Sequence, residues 1–268
     1  MHTPAGPQRE DGQHLFGRDA AGYARFRPGY PEALWQQLAA YRPADGAHFE
    51  IGPGTGLATA RLLAAGSRLT AIEPDPVLAA HLQAAQAPAI AGQRLQVVAA
   101  RFDALPDPTP GFDAGHAATS FHWLDTAPAL AQVRRWLRPG GAWAMWWNVF
   151  GDPRAPDAFA RATADLFAAL APNPSRIHGL PFALHTEQRL AQLRAAGFTA
   201  LAQHTLHWQL PQTTEQVLGL TATFSPVACL PTDHRHAFLD RLAERVERVF
   251  AGRVERSVLT PLYLARVP

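Results

Sequence analysis

Seven residues decide the fold of this chain: Glu50-Ile51-Gly52-Pro53-Gly54-Thr55-Gly56. The pattern before them predicts a short apolar strand over residues 47–51, and the pattern after them predicts a helix over residues 58–65. Glycine has no Cβ, so a glycine-rich loop lets the backbone approach a ligand closely. The start of the following helix adds backbone N–H groups that no helical carbonyl uses. The segment therefore predicts a ligand-binding loop between a strand and a helix.

Strand and helix patterns alternate from about residue 30 to residue 147, which predicts a parallel sheet with helices on both faces. Two later strands complete an α/β fold of Rossmann-like type, with seven mostly parallel strands and an antiparallel last strand. The predicted strands cover residues 47–51, 68–73, 95–99, 115–120, 143–147, 205–210 and 256–267. The predicted helices cover residues 31–41, 58–65, 76–85, 127–137, 157–170, 187–196, 214–222 and 233–250.

The chain of 268 residues is expected to form a single domain with a buried core. The first dozen residues are rich in Pro, Gly, Gln and charge, which predicts a flexible leader. The predicted parts of the domain are a leader and lid over residues 1–30, a ligand-binding core over residues 31–147, cap helices over residues 148–197 and 211–252, and final strands over residues 198–210 and 256–267.

Composition excludes several classes of partner. The 24 basic and 22 acidic residues give a formal net charge of only +2, and the arginines are scattered instead of forming the basic stripe of a nucleic-acid binder. A single cysteine, Cys229, leaves no disulfide within the chain and no Cys-rich metal site. No apolar run approaches the ~18 residues that a membrane span needs. We expect a cytoplasmic monomer or homodimer without a nucleic-acid or membrane partner.

The spacing of the loop and two carboxylates narrow the ligand. An NAD-binding loop would place its third glycine at position 57, which is Leu57. Glu50, directly before the loop, disfavours a pyrophosphate and suits a cationic ligand such as a sulfonium with an α-amino group. Glu73, at the end of the second strand, can accept hydrogen bonds from two ribose hydroxyls. These signals predict a positively charged adenosine cofactor, and the alternatives are an ordinary tight turn and a surface carboxylate before Pro74.

Several motifs together resemble the class I S-adenosylmethionine-dependent methyltransferases. These motifs are the glycine loop, Glu73-Pro74-Asp75, Phe112-Asp113, His122-Trp123 and Leu137-Arg138-Pro139-Gly140-Gly141. The segments over residues 23–31 and 260–266 are similar to a branch that includes trans-aconitate methyltransferase-like proteins. The resemblance covers nearly the whole chain and is specific for the cofactor, not for the acceptor. It implies the class I methyltransferase fold, S-adenosylmethionine as cofactor and S-adenosylhomocysteine as product.

The resemblance also implies which residues contact the cofactor. Gly52 and Gly54 would approach its methionine part, with Glu50 near the amino group, and Glu73 would bind the ribose. Neighbouring residues with an implied cofactor contact are Pro53, Gly56 and Pro74.

Three further sets of cofactor contacts follow from the same resemblance. Residues 101–103 occupy the adenine-binding position, with the Phe102 N–H facing the ring. Arg101 stands where many relatives carry an acid, so Asp103 is the substitute acceptor. Thr119 and Ser120 would lie under the sulfonium. Tyr23 and Arg27 would fold over the cofactor carboxylate, although Tyr23 equally fits a packing role.

The residues that would contact the acceptor follow the fourth and fifth strands. His122 is the best-placed general base, although a shared role in packing or cofactor support competes with that interpretation. Trp147, Asn148 and Phe224 lie in segments able to cover the site, and their aromatic character favours a small, partly apolar acceptor. No set of ligands with persuasive spacing predicts a metal.

Three functions remain open from the sequence. The first is methyl transfer to a small molecule, at oxygen or nitrogen more readily than at carbon. The second is a cofactor-binding protein of the same fold that does not transfer a methyl group, either as a binding module or for other chemistry. The third, a nicotinamide oxidoreductase, is disfavoured by Leu57.

Overall fold

The computed structural model describes residues 19–43, 45–109, 111–170, 176–177 and 179–268. The predicted flexible leader and much of the loop over residues 172–181 lie outside these residues. The helices are α1 (Ala20–Phe26), α2 (Glu32–Tyr41), α3 (Leu57–Ala64), α4 (Pro76–Ala85), α5 (Ala87–Ala91), α6 (Thr126–Trp136), α7 (Ala158–Ala168), α8 (Thr186–Ala195), α9 (Thr214–Ala222), α10 (Ser225–Ala228) and α11 (Thr232–Phe250). The strands are β1 (Ala47–Ile51), β2 (Arg68–Ile72), β3 (Leu95–Val98), β4 (Phe112–Ala118), β5 (Leu137–Trp146), β6 (Val149–Phe150), β7 (Arg176–Ile177), β8 (Leu180–Pro181), β9 (Thr199–Thr213) and β10 (Arg253–Arg266).

The chain divides into two compact units. The larger unit consists of Gly29–Asn148, Phe182–Leu206 and Thr260–Pro268. The smaller unit consists of the described residues of Met1–Pro28, Val149–Pro181 and His207–Leu259. The glycine loop and both carboxylates singled out in the sequence belong to the larger unit, whereas Tyr23, Arg27 and Phe224 belong to the smaller one.

The sheet of the larger unit follows the order β3-β2-β1-β4-β5-β10, and β9 also pairs with β10. Neighbouring strands among β1 to β5 are parallel, whereas β10 runs antiparallel to β5. This topology confirms the predicted Rossmann-like methyltransferase fold with an antiparallel last strand. Parallel strands bring their carboxyl ends to one edge, so the residues after β1, β2 and β4 lie along the same edge of the sheet.

Alternation along β1 separates an aromatic face from a polar one. Phe49 packs against the rings of Phe102, Trp136 and Trp143. Its own ring lies so close to Gly115 of β4 that a Cβ there would stand 2.3 Å from it. The next residue of β1 points to the opposite face, which is how Glu50 enters the interior on the side of α3.

The smaller unit has its own hydrophobic core. Its buried side chains come from α7, α9 and α11, and they include Phe159, Val217, Leu242 and Val246. β6 pairs antiparallel with residues 258–259 of β10. Thr213 begins α9 with a capping box that it forms with Gln216. None of the helices within the described ranges is both long enough and apolar enough to cross a membrane.

Some predicted boundaries were wrong. β5 begins at Leu137 and not at residue 143, because Leu137 already pairs with Phe112 of β4. β9 is far longer than the predicted strand over residues 205–210. The helices α1, α5 and α10 were not predicted, because each has seven residues or fewer and too few turns to show an apolar period.

Replacing Gly115 with Ala is expected to destabilise the larger unit. The new methyl group would stand 2.3 Å from the Phe49 ring, and forcing extra volume into a packed interior costs about 1–3 kcal/mol. Gly29→Ala is the matched control, because a Cβ at Gly29 meets no atom within 4 Å. Urea unfolding of the two variants measures the effect, and equal midpoints would contradict the close approach of Phe49 and Gly115.

Candidate functional site

The glycine loop has a backbone that only glycine adopts easily. Gly52, Gly54 and Gly56 have φ angles of 62°, 59° and 91°, all in the left-handed region. A Cβ at Gly52 would stand 2.7 Å from the Cβ of Ser120, whereas a Cβ at Gly54 would meet no atom within 4 Å. The Pro53 carbonyl accepts a hydrogen bond from the Gly56 N–H (3.0 Å), which closes the turn. The loop therefore packs tightly at Gly52 and leaves room for a ligand at Gly54.

Glu50 is completely buried beneath this loop. One carboxylate oxygen, Oε2, accepts a hydrogen bond from the Thr59 hydroxyl at 2.7 Å. The other oxygen, Oε1, has no hydrogen-bond partner among the described residues. Burial is the largest cause that raises the pKa of Glu50 to about 7; the Thr59 hydrogen bond opposes this shift, and the negative charge of Glu73 adds to it. The free oxygen marks a place where a donor from a ligand would be stabilised.

Glu73 connects the end of β2 to the loop. Its Oε2 accepts from the Gly54 N–H at 2.9 Å, and its Oε1 accepts from the Asp75 N–H at 3.0 Å, across the half-buried Pro74. Burial raises the pKa of Glu73 to about 7. Each carboxylate oxygen has a second lone pair, so these backbone contacts leave capacity for a ribose hydroxyl.

The two carboxylates form no ion pair within the described residues, and no neighbouring cation lowers either pKa. In the same loop, the buried Thr55 hydroxyl also lacks a hydrogen-bond partner there. Buried charge needs compensation, because desolvating an unpaired carboxylate is costly. The loop and the two carboxylates therefore fit a ligand that brings positive charge and hydrogen-bond donors.

A strained residue ends β4 beside the loop. Thr119 has a φ of 59°, which costs a non-glycine residue of the L series about 1–2 kcal/mol. Its N–H donates to the Trp146 carbonyl at 2.7 Å, and its hydroxyl bonds the Tyr30 hydroxyl at 2.9 Å. The next hydroxyl, of Ser120, donates to the Ile51 carbonyl. These bonds fix the strand end against the glycine loop, and backbone strain of this kind is concentrated at functional sites.

The turn after β3 is held by its neighbours. Arg101 and Asp103 form an exposed ion pair with an N–O distance of 2.7 Å, and this hydrogen bond lowers the pKa of Asp103. The Phe102 side chain is buried, and its carbonyl accepts from the Gln132 side chain at 2.8 Å. Asp103 therefore already has a cationic partner in the turn that we predicted to contact adenine.

His122 accepts a hydrogen bond at Nδ1 from the Trp147 indole N–H, with a distance of 3.0 Å. An indole N–H is only a donor, so Nδ1 carries no proton and the neutral ring carries its proton on Nε2. The nitrogen that can accept a proton is thus already occupied by Trp147. The general-base role of His122 stays a prediction.

The other predicted acceptor residues lie in different units. In the larger unit, Asn148 donates its amide to the Gly29 carbonyl at 2.9 Å and accepts from the Thr260 hydroxyl at 2.8 Å. In the smaller unit, the Arg27 guanidinium lies 5.4 Å from the ring centroid of Phe224 and 4.9 Å from that of Tyr23. The Asn148 amide is therefore used to join three parts of the larger unit.

Sequence analysis missed two residues of this region. Thr59 supplies the hydroxyl that bonds Glu50, and its signal was a buried polar residue in the first turn of an otherwise mostly apolar helix. Tyr30 bonds Thr119 although 89 residues separate them, so no local pattern indicates it. In the part of the chain that the structure describes, no group of three or more His, Cys, Asp or Glu side chains is arranged to bind a metal.

Comparison with known proteins agrees with this geometry. Residues 49–145 match a family model described as a methyltransferase domain. An uncharacterized methyltransferase of Mycobacterium bovis is 29% identical over 238 residues, which cover 88% of this chain and 87% of the relative. The match supports assignment to the class I S-adenosylmethionine-dependent methyltransferases, and it confirms the predicted cofactor, S-adenosylmethionine.

Two solved structures show the same fold. The (4+2)-cyclase SpnF has a TM-score of 0.62 and 17% identity, with 100% of this chain and 99% of that chain covered. Phosphoethanolamine N-methyltransferase 2 of Haemonchus contortus, in complex with phosphomonomethylethanolamine and S-adenosylhomocysteine, has a TM-score of 0.62 and 13% identity. This chain is covered to 98% and that chain to 60%.

Replacing Glu50 with Gln is expected to stabilise the free protein at pH 8. Raising the carboxyl pKa from 4.5 to about 7 costs the folded state about 3 kcal/mol once the group is ionised. This penalty is absent below the unfolded pKa and complete above the folded pKa, so the gap between variant and wild type should widen from pH 5 to pH 8. Urea unfolding at both pH values measures it, with the exposed Asp107→Asn as control. A gap that does not depend on pH would contradict the buried, unpaired state of Glu50.

Proposed function

We propose that this protein transfers the methyl group of S-adenosylmethionine to a small-molecule acceptor, at oxygen or nitrogen more readily than at carbon. The observation that carries the proposal is the pair of buried, uncompensated carboxylates, Glu50 and Glu73, beside a loop with room for a ligand at Gly54. When bound, the cofactor supplies a reactive methyl group on a positively charged sulfur.

Different residues of the larger unit would bind different parts of the cofactor. The free Oε1 of Glu50 would accept from the α-ammonium group, and Glu73 would accept from the ribose hydroxyls. The Phe102 N–H would face the adenine, and Thr119 and Ser120 would lie beneath the sulfur. Two further sets of contacts stay predictions. Tyr23 and Arg27 would contact the cofactor carboxylate. Other parts of the cofactor would be contacted by Pro53, Gly56, Pro74, Arg101 and Asp103.

His122 would lie at the acceptor side, where its Nδ1 accepts from the Trp147 indole N–H. An acceptor that is already deprotonated, or an amine that is neutral when bound, needs no base, and alignment with the methyl group supplies most of the rate. The proposal also includes acceptor contacts by Trp147, Asn148 and Phe224. It further includes an acceptor that is not a nucleic acid, a monomer or homodimer in the cytoplasm, and membership of the trans-aconitate methyltransferase-like branch.

The second candidate is a protein that binds the cofactor without transferring its methyl group. It is favoured by the occupied Nδ1 of His122, which leaves this residue without a proton-accepting nitrogen. The cyclase SpnF shares the fold at 17% identity, so the architecture serves a protein named for other chemistry. Formation of S-adenosylhomocysteine in an acceptor screen separates the two candidates, since only the first predicts it.

Affinity for S-adenosylhomocysteine should rise with pH and level off above about pH 7. The ligand's ammonium group stabilises the ionised form of Glu50, whose pKa is about 7 in the free protein, so binding below that pH must release a proton. Calorimetry in buffers with different ionisation enthalpies measures both affinity and proton release. Glu50→Gln should weaken binding and flatten the profile. No binding at any pH would refute the proposed function, and binding without proton release would refute the role of Glu50.

Glu73→Ala is expected to weaken S-adenosylhomocysteine binding by about 1–3 kcal/mol, because the ribose hydroxyls lose a charged acceptor. The substitution also frees the Gly54 and Asp75 N–H groups, so thermal unfolding must show that the variant folds. Asp107→Ala, which removes an exposed carboxylate paired with Arg135, is the control. Unchanged affinity in a folded Glu73→Ala protein would contradict the ribose assignment.

A further inference from the structure

Two arginines of the smaller unit lie over one aromatic ring. The guanidinium carbons of Arg27 and Arg256 lie 5.9 Å and 5.7 Å from the ring centroid of Phe150. The Arg256 guanidinium also lies 4.5 Å from the ring centroid of Phe159. The three elements that bring these residues together are α1, β6 and β10, which lie far apart in the sequence. Two positively charged side chains therefore lie beside the ring of Phe150.

The N–H groups of these arginines are poorly satisfied. Arg256 is 5% exposed, and its Nε and Nη1 have no hydrogen-bond partner among the described residues. Arg27 donates from Nη2 to the Thr223 carbonyl at 3.1 Å, but its buried Nε also has no partner there. A buried donor that has left water without a new acceptor costs free energy. Three N–H groups around Phe150 thus lack an acceptor.

The negative charge nearby is already engaged. Asp157 accepts from the Ala160 N–H at 2.7 Å and from the Ser257 N–H at 2.9 Å, where it caps α7 and fixes β10. It raises the pKa of Arg256, but burial is the larger effect and lowers this pKa to about 10. Neither Arg27 nor Arg256 forms an ion pair in the part of the chain that the structure describes. The pair therefore has positive charge that the protein itself does not balance.

We propose that Arg27 and Arg256 bind an anionic group of a ligand, a carboxylate or a phosphate, beside the ring of Phe150. The guanidinium groups supply charge-assisted donors for such a group, and the phenylalanine rings supply an apolar surface for the carbon skeleton attached to it. The inference does not depend on the proposed function, because the site is built from residues of the smaller unit alone.

Binding of benzoate tests the site directly, with phenyl phosphate as the second anion and benzamide as the uncharged probe of the same shape. Calorimetry at low ionic strength should show benzoate or phenyl phosphate binding to the wild type, and at least tenfold weaker binding to Arg256→Met and to Arg27→Met. Arg25→Met is the control, because Arg25 is exposed and paired with Glu215. Benzamide should bind weakly and equally to all four proteins.

Anion affinity that is equal in the wild type and both variants, or benzamide that binds as tightly as benzoate, would overturn the site.

The choice of variants separates an effect on folding from an effect on anion binding. Methionine retains the length and the apolar contacts of Arg256, and replacing an unpaired buried charge with an apolar side chain is often neutral for stability. Should Arg256→Met fail to fold, Arg27→Met decides the matter, because Arg27 is only half-buried. Neither probe requires methyl transfer or bound cofactor, so failure of cofactor binding leaves the benzoate result standing.

Discussion

The larger unit has to accommodate two carboxylates, Glu50 and Glu73, that are buried at the carboxyl edge of its sheet. A carboxylate removed from water must be neutralised, hydrogen-bonded or paired, and here it is only partly hydrogen-bonded. The free protein therefore holds two acids with pKa values of about 7 in its interior. A cationic cofactor bound beside these carboxylates would relieve this cost, so a feature that destabilises the free protein would contribute to affinity.

The strained backbone around the loop serves the same end. Gly52 and Thr119 both have a left-handed backbone, and Ser120, the residue after Thr119, lies close to Gly52. Hydrogen bonds from Thr119 and Ser120 to neighbouring strand ends stabilise this arrangement. The loop is thereby positioned before a ligand arrives, which reduces the entropy lost on binding.

One side-chain contact, between Trp147 and His122, determines which ring nitrogen of His122 carries the proton. Because the Trp147 indole can only donate, it fixes His122 as a neutral ring with its proton on Nε2. Methyl transfer that relies on alignment is compatible with this arrangement, since the displacement requires geometry more than proton transfer.

The sequence by itself determined the sheet, the loop and the cofactor class, because these depend on local patterns: apolar strands, the spacing of glycines and carboxylates at strand ends. It could not determine partners that meet only after folding. The Tyr30–Thr119 and Trp147–His122 contacts join separate segments of the chain, and no local pattern in the sequence indicates them. Likewise, no sequence pattern singles out Arg256, and only tertiary packing beside Phe150 buries its Nε and Nη1 without an acceptor among the described residues.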